Sequence, residues 1–356
     1  MFISPALNTL VVQGFLISTE DLFIEKELTA VNEQPQSNKT FWFIVIGAAF
    51  WGINPLFRIL LLDTMTSLQI VFIEHIILAF IAIPILLKFK GDLKKLSFKD
   101  VGALLFISWG GSAFATLLFT QGLTIAASSG EINSVLLLQK LQPLFAITLA
   151  HFLLKEKLPQ HFGVYVPIAL IGTYLLTFGF YFPINNPGEI FQLGSLYAIG
   201  AAALWGGSTV MGRILLKKCR HETVTALRFL LALPLLGVLI SVSPDIWASP
   251  ESTIALTFIA LNLLASALLP GLVSMLLYYR GLQSVKASVA TIAELSFPMT
   301  GLLVSWITLQ ETVTIAQLIG FALIWFVLFR ISKQQDTISQ LPPVKKRKKN
   351  ALQPLK

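Results

Sequence analysis

Among the ionisable residues inside long apolar runs of this sequence, four are hardest to explain as interfacial or structural: Glu74, Lys140, Arg228 and Glu294. A charge at the centre of a bilayer costs ~2.5 kcal/mol or more, so it is retained where it faces a bundle interior or a watery cavity. One interpretation is structural, with buried ion pairs such as Lys140 with Glu74 holding helices together. The other, which we favour, is that these side chains bind a small molecule or carry a proton.

Further polar residues accompany these charges at helical spacing. Gln139 and Gln142 are three positions apart, which places both on one helical face. Trp51, Asn54 and Arg58 follow i, i+3, i+7 spacing, so this stripe either lines a vestibule or anchors its helix at the membrane interface. The candidate binding residues are Trp51, Asn54, Glu74, His75, Gln139, Lys140, Gln142, Arg228 and Glu294.

This mixture of acids and bases suits a zwitterionic ligand. Lys140 or Arg228 would hold a carboxylate, and Glu74 or Glu294 would hold an ammonium group. Ring faces for the cation are available from three tryptophans: Trp51, Trp109 and Trp205. The residue types therefore predict recognition of a small amino-acid-like metabolite.

Proton coupling is a second expectation from the same residues. Glu74 lies about 10 Å deep in its apolar run at 1.5 Å per residue, which makes it the favoured coupling acid. Glu294 lies at a comparable depth from the opposite face and is the alternative. His75, next to Glu74, either exchanges a proton near neutral pH or is a satisfied hydrogen-bonding group.

The composition shows which elements must position these side chains. The chain of 356 residues is 55% hydrophobic and only 12% charged, whereas soluble domains carry about 25% charged residues. It is therefore a polytopic membrane protein, built from apolar runs that cross ~30 Å of hydrocarbon as helices. We count ten runs, at residues 41–61, 67–88, 99–120, 131–154, 161–181, 193–216, 222–241, 253–279, 287–308 and 314–331.

Lys and Arg alternate between the loops that join these runs. The loops after the second, fourth, sixth and eighth runs are basic, and so is the tail of residues 332–356 with its run Lys345–Lys349. The intervening loops contain neither Lys nor Arg (62–66, 121–130, 182–192, 242–252 and 309–313). Basic loops stay in the cytoplasm. We therefore expect both termini there, with residues 1–40 as an acidic cytoplasmic tail.

The two halves of the chain resemble each other. The Trp-Gly pair at 51–52 recurs at 205–206 after 154 residues, and Pro143 recurs as Pro298 after 155. Each half has five runs, an odd number, so the second half must enter the membrane from the opposite side. The prediction is an all-α membrane protein of ten transmembrane helices in two inverted-topology five-helix repeats. That architecture is typical of secondary transporters, whose sites lie between the repeats.

Together these features resemble the drug/metabolite transporter superfamily, and its EamA-type branch most closely. The resemblance is carried by the Trp-Gly pairs, by Gly-Leu followed by small residues and Leu-Gln-Pro, and by the turns LLKEKL and LQET after Pro143 and Pro298. It covers residues 42–178 and 194–331 as two five-helix repeats. It implies export of amino acids or other small metabolites across the plasma membrane of a bacterium.

Other classes of protein fit the sequence less well. It has no HExxH, GxSxG or Walker motif, so an intramembrane enzyme is a lesser alternative, and it lacks the repeated charged rings of a channel filter. A phosphorylated or nucleotide-type substrate calls for clustered Lys and Arg, whereas the ninth run carries Glu294. We expect no catalytic residue, metal, cofactor or nucleic-acid partner, and we expect a small-molecule substrate and the lipid bilayer as partners.

Overall fold

The computed structural model describes residues 38–54, 56–57, 61, 64–129, 132–184, 187–247, 252–308, 310 and 312–340. Arg58, most of the N-terminal tail and the basic run Lys345–Lys349 lie outside these ranges. Every regular element within them is a helix. The α-helices are α1 (Asn38–Trp51), α2 (Ser67–Lys88), α3 (Phe98–Leu105), α4 (Ala115–Ser129), α5 (Ile132–Gln139), α6 (Gln142–Leu154), α7 (Phe162–Phe178), α8 (Leu193–Leu216), α9 (His221–Val242), α10 (Thr253–Ser266), α11 (Ser274–Leu282), α12 (Ala287–Ala293), α13 (Ser296–Thr308) and α14 (Ile315–Gln340).

Eight helical stretches in the described part of the chain are long and apolar enough to cross a membrane. They correspond to the second, third, fourth and sixth to tenth predicted runs, which we call spans by the same numbers. The first and fifth runs form the shorter apolar helices Lys39–Trp51 and Phe162–Phe178. The protein is thus a multi-pass membrane protein, while the number of ten crossings and the side of the termini stay predictions.

The repeat is visible in the irregularities of the backbone. A π-helical segment joins α3 to α4 (Phe106–Phe114), and another joins α10 to α11 (Ala267–Val273), in the third and eighth spans. The fourth span is interrupted between α5 and α6, and the ninth between α12 and α13. Lys155 and Gln310, 155 positions apart, both adopt left-handed backbone angles, with φ of 52° and 54°. Matching positions of the two halves therefore have matching local structure.

Helix pairing follows the same repeat. Three pairs join equivalent runs of the two halves: α2 with α9 (second and seventh), α7 with α14 (fifth and tenth), and α6 with α12 (fourth and ninth). Two further contacts occur twice, because α1 packs on α11 as α8 packs on α4, and α1 packs on α13 as α8 packs on α6. The two halves of the chain therefore make matching helix contacts, and the fourth and ninth spans face each other.

The Trp-Gly pairs allow close packing beside the two interruptions. A Cβ atom on Gly52 would lie 2.6 Å from the carbonyl oxygen of Phe297, and one on Gly206 would lie 2.8 Å from that of Gln142. Each carbonyl belongs to the residue just before a proline of an interrupted span, Pro298 or Pro143. Only glycine allows the backbones to approach this closely. These two glycines therefore allow the first run and the sixth span to pack directly against the interruptions of the ninth and fourth spans.

Candidate functional site

The interruption of each span has a local cause in its proline. Proline lacks the N–H group that a continuous helix needs and clashes with the preceding turn, so it is best accommodated in the first turn of a new helix. Pro143 lies in the first turn of α6 and Pro298 in the first turn of α13. Lys140 is consequently in the turn before α6, and Glu294 caps the C-terminus of α12. Both charges stand where a helix is broken.

Glu294 is held by side chains from three other helices. Its Oε2 accepts a hydrogen bond from Gln142 Nε2 at 2.7 Å. Its Oε1 accepts from Tyr278 Oη at 2.5 Å and from Thr209 Oγ1 at 3.0 Å. The two hydroxyl oxygens of Thr209 and Tyr278 lie 2.9 Å from each other. The side chain is only 8% exposed. These donors satisfy a buried carboxylate, as a charge in a low-dielectric interior requires.

Lys140 lies in the interruption of the fourth span, between α5 and α6. Its Nζ is 5.8 Å from the centre of the Phe297 ring, within the range of a cation–π interaction. Among the described residues, no carboxylate oxygen lies within the 4.0 Å of an ion pair with Lys140. The structural alternative of a Lys140–Glu74 pair is therefore not formed. Within the part of the chain that the structure describes, Lys140 thus has no carboxylate partner.

A small cavity of about 40 Å³ separates the two interruptions. One water needs roughly 10–15 Å³ of such space, so the cavity has room for a few waters and not for a metabolite. The cavity is lined by Gln139, Lys140, Gln142, Pro143, Thr173, Thr291, Glu294, Leu295, Phe297 and Pro298.

Arg228 is connected to this site through tyrosines. Its Nη1 donates to Tyr279 Oη at 2.8 Å, and its Nε donates to Ser112 Oγ at 2.9 Å in the π-helical segment of the third span. The Tyr279 ring lies 5.7 Å from that of Tyr278, which donates to Glu294. Arg228 therefore orients Tyr279, whose ring packs near Tyr278, the tyrosine that donates to Glu294.

Asn54 and Glu74 belong to a separate polar cluster. The hydroxyl of Ser266 lies between them, 3.3 Å from Asn54 Oδ1 and within hydrogen-bonding distance of Glu74 Oε1. His75 places Nδ1 2.8 Å from the carbonyl oxygen of Val71. Its ring meets the edge of Phe229, 5.8 Å away and 154 positions later in the chain. This cluster lies between the second, seventh and eighth spans, beside the site rather than in it.

The tryptophans differ in what they can offer a ligand. The ring of Trp51 lies 5.1 Å from that of Tyr278, at the edge of the Glu294 network. Trp109 donates its Nε1–H to the carbonyl of Leu231, and Trp205 donates its own to the carbonyl of Gly111. These two indoles join helices, so Trp51 is the ring best placed near the site.

The structure thus divides the predicted residues into two groups. Gln139, Lys140, Gln142 and Glu294 meet at one cavity, whereas Asn54, Glu74 and His75 form the second cluster. Trp51 lies against Tyr278, and Arg228 donates to Tyr279. The sequence did not predict five hydrogen-bonding partners: Ser112, Thr209, Ser266, Tyr278 and Tyr279. Hydroxyl residues in apolar helices commonly bond to their own backbone, as Thr173 does here, so residue type carried no signal.

Comparison with known proteins agrees with this architecture. The model of the EamA-like transporter family matches residues 38–178 and 192–332. The chain is 30% identical over 294 residues to "Riboflavin transporter ImpX" of Fusobacterium nucleatum, covering 82% of this chain and 96% of that protein. A solved structure titled "Crystal structure of protein" superposes with a TM-score of 0.66 at 17% identity, covering 82% of this chain and 96% of its own. That last similarity is one of fold.

Proposed function

This chain belongs to the EamA-like transporter family, and from that premise we propose that its substrate crosses the membrane between its two interrupted spans. One observation carries the proposal. Gln142 of the fourth span donates to Glu294 of the ninth at 2.7 Å, beside a cavity that both spans line. Polar groups at broken helices between repeats are where secondary transporters bind substrate. Secondary transport is the mechanism that this geometry supports best.

The proposed cycle begins by separating the two interruptions. The cavity is too small for a metabolite, so the fourth and ninth spans must move apart before one can bind. Opening breaks the Gln142–Glu294 hydrogen bond and releases an amide and a carboxylate to the ligand. Since leaving a buried polar group unsatisfied costs about 1–3 kcal/mol, a ligand that replaces the lost bond favours the open state. Closure on the side of entry and opening on the other side then release the ligand.

For the substrate, we propose a flavin such as riboflavin. The relative named a riboflavin transporter aligns over 96% of its own length. The cavity offers amides from Gln139 and Gln142, a hydroxyl from Thr291 and the ring of Phe297. Amides and hydroxyls match the imide and the ribityl chain of riboflavin, and an aromatic face matches its planar ring system.

An amino-acid-like zwitterion is the second candidate, and one observation favours it. Lys140 and Glu294 line the same cavity, and Lys140 is not in an ion pair among the described residues. A cation and an anion on facing helices suit a carboxylate and an ammonium group on one ligand. This candidate would be exported, as the family resemblance implies.

For coupling, we propose a proton carried by Glu294. The acid lies at the cavity and shares hydrogen bonds with Gln142, Thr209 and Tyr278, so ligand binding changes its surroundings directly. Glu74, which the sequence favours, is bonded to Ser266 in the neighbouring cluster. Ligand contact with Glu74 would require a longer rearrangement, so it becomes the alternative.

Counterflow in proteoliposomes tests the proposal. Purified protein is reconstituted with unlabelled riboflavin inside, and uptake of labelled riboflavin is compared with that of labelled amino acids under matched loading. We expect transient accumulation of riboflavin, which Gln142→Ala reduces while the protein remains folded. Accumulation of an amino acid instead would move the assignment to the second candidate. Counterflow of neither class would contradict both substrate assignments.

A further inference from the structure

A larger cavity opens at the end of the molecule where the loops lack Lys and Arg. Its volume is about 610 Å³. Its walls come from the start of α2 with the turn before it, from α4 between Leu117 and Thr124, and from the segment that follows α9. We call it the vestibule; its polar lining includes Thr66, Gln69, Thr120, Gln121, Thr124 and Asp245.

The wall of the vestibule that carries Asp245 is tied to the start of the second span. Thr66 and Gln69 form the capping box of α2, in which the Thr66 side chain accepts from Gln69 N and Gln69 Oε1 accepts from Thr66 N. The Thr66 hydroxyl also donates to Asp245 Oδ2 at 2.9 Å. Gln69 Nε2 donates to the carbonyl of Ile246 at 3.3 Å. Asp245 is thereby held in place, half-buried, at the cavity surface.

Asp245 is the charged residue of the vestibule, since the other described lining residues are neutral. The loops that contribute to its walls, residues 62–66, 121–130 and 242–252, contain no Lys or Arg in the sequence. A recess with walls of low dielectric focuses such a field and raises or lowers the local concentration of charged solutes.

We propose that the vestibule attracts cations, admits neutral molecules and repels anions, with Asp245 as the residue that sets this selectivity. The consequence for transport rests on the proposed function: riboflavin, which is neutral, passes, whereas its 5′-phosphate is disfavoured before it reaches the cavity. The effect is Coulombic. A unit charge several ångströms away in a hydrated, screened recess changes the local concentration of each charged solute about two- to threefold.

Charged thiol reagents test the vestibule without reference to any substrate. A cysteine is introduced as Thr124→Cys, at an exposed lining position, while the native Cys219 is buried and the unsubstituted chain gives the background. Its reaction rates with a cationic and an anionic methanethiosulfonate reagent are compared. We expect the cationic-to-anionic ratio to fall about three- to tenfold in Asp245→Asn and to persist in Asp245→Glu. An unchanged ratio in Asp245→Asn would overturn the proposal.

Transport competition tests the consequence. In counterflow of labelled riboflavin, excess unlabelled riboflavin should compete well and riboflavin 5′-phosphate poorly. Asp245→Asn should strengthen competition by the phosphate several-fold at low ionic strength, and added salt should reduce the difference between the two proteins. Equal competition by the phosphate in both proteins would contradict charge selection. If riboflavin itself is not transported, the flavin assignment fails, and the reagent ratio still decides the vestibule.

Discussion

Gln142 Nε2 donates a 2.7 Å hydrogen bond to Glu294 Oε2, although the two residues are 152 positions apart in the chain. This contact joins the interruptions of the fourth and ninth spans. The two residues come from different repeats: Gln142 directly precedes Pro143, and Glu294 lies four residues before Pro298. The bond is expected to break when the fourth and ninth spans move apart. It is therefore suited to report whether these two spans are in contact or apart.

Replacement of Glu294 by Gln should uncouple transport from protons. The glutamine cannot release a proton, yet it keeps an oxygen that accepts from Tyr278 and Thr209. In proteoliposomes, net flux driven by a pH gradient should be lost while substrate-for-substrate exchange continues. Glu74→Gln is the matched control and should retain its response to the gradient. Loss in Glu74→Gln alone would assign coupling to the cluster around Ser266.

Lys140→Met should abolish transport and leave the protein stable. Because Lys140 forms no ion pair among the described residues, its removal strands no buried acid there. The change forfeits a cation–π contact with Phe297, worth about 0.5–2 kcal/mol, and the methionine replaces its packing. Thermal unfolding in detergent and counterflow are measured on the same preparation, with Lys140→Arg as the charge-retaining control. Normal counterflow by Lys140→Met would remove the residue from the site.

Alanine at Gly52 or Gly206 should destabilise the protein. The added Cβ would meet backbone oxygens at 2.6 and 2.8 Å, which a flexible side chain cannot relieve. Overpacking of this kind costs about 1–3 kcal/mol. Gly237→Ala is the control, since a Cβ there meets nothing within 4 Å. We expect the melting temperature to fall in both test variants and to stay unchanged in the control. An equal fall at all three positions would contradict close packing at the interruptions.

Reporter fusions should place equivalent positions of the repeats on opposite sides of the membrane. A fusion after Glu156 should be cytoplasmic and one after Gln310 should be outside, although Lys155 and Gln310 share the same left-handed turn. The expectation follows from the odd number of predicted crossings per half and from the placement of Lys and Arg. Activity of a periplasmic and a cytoplasmic reporter at each position provides the measurement. Both fusions on the same side would end the inverted-topology prediction.

Glu156, which follows the fourth span, should stabilise the start of the ninth span. Its carboxylate accepts hydrogen bonds from Ala287 N at 2.9 Å and from Ser288 N at 3.0 Å at the start of α12, whose other end carries Glu294. Loss of a cap costs about 0.5–2 kcal/mol. Glu156→Ala should lower the melting temperature, and Glu156→Gln, which keeps one acceptor, should lower it less. Equal melting temperatures for all three proteins would show that the cap contributes nothing.

The sequence alone determined the membrane class, the repeat and the positions of the interruptions. Hydrocarbon solvent permits few backbone solutions, so apolar run length, proline placement and the 154–155-residue recurrence were sufficient. For the same reason, Gln139, Lys140, Gln142 and Glu294 could be recognised as candidates, but the sequence did not separate them from Glu74, His75 and the other candidates.

Only the tertiary structure decided which polar residues meet. Glu74 and Glu294 are alike in the sequence, as acids at similar depths in apolar runs, yet one bonds to Ser266 and the other to Gln142, Thr209 and Tyr278. These contacts join residues up to 192 positions apart and depend on which helix faces are turned toward each other. Periodicity shows which residues share a helix face but not which helix packs against that face. Lipid tails are as apolar as a neighbouring helix, so hydrophobicity does not distinguish between them. Packing at close-approach positions such as Gly52 and Gly206 selects the neighbour, and with it the site.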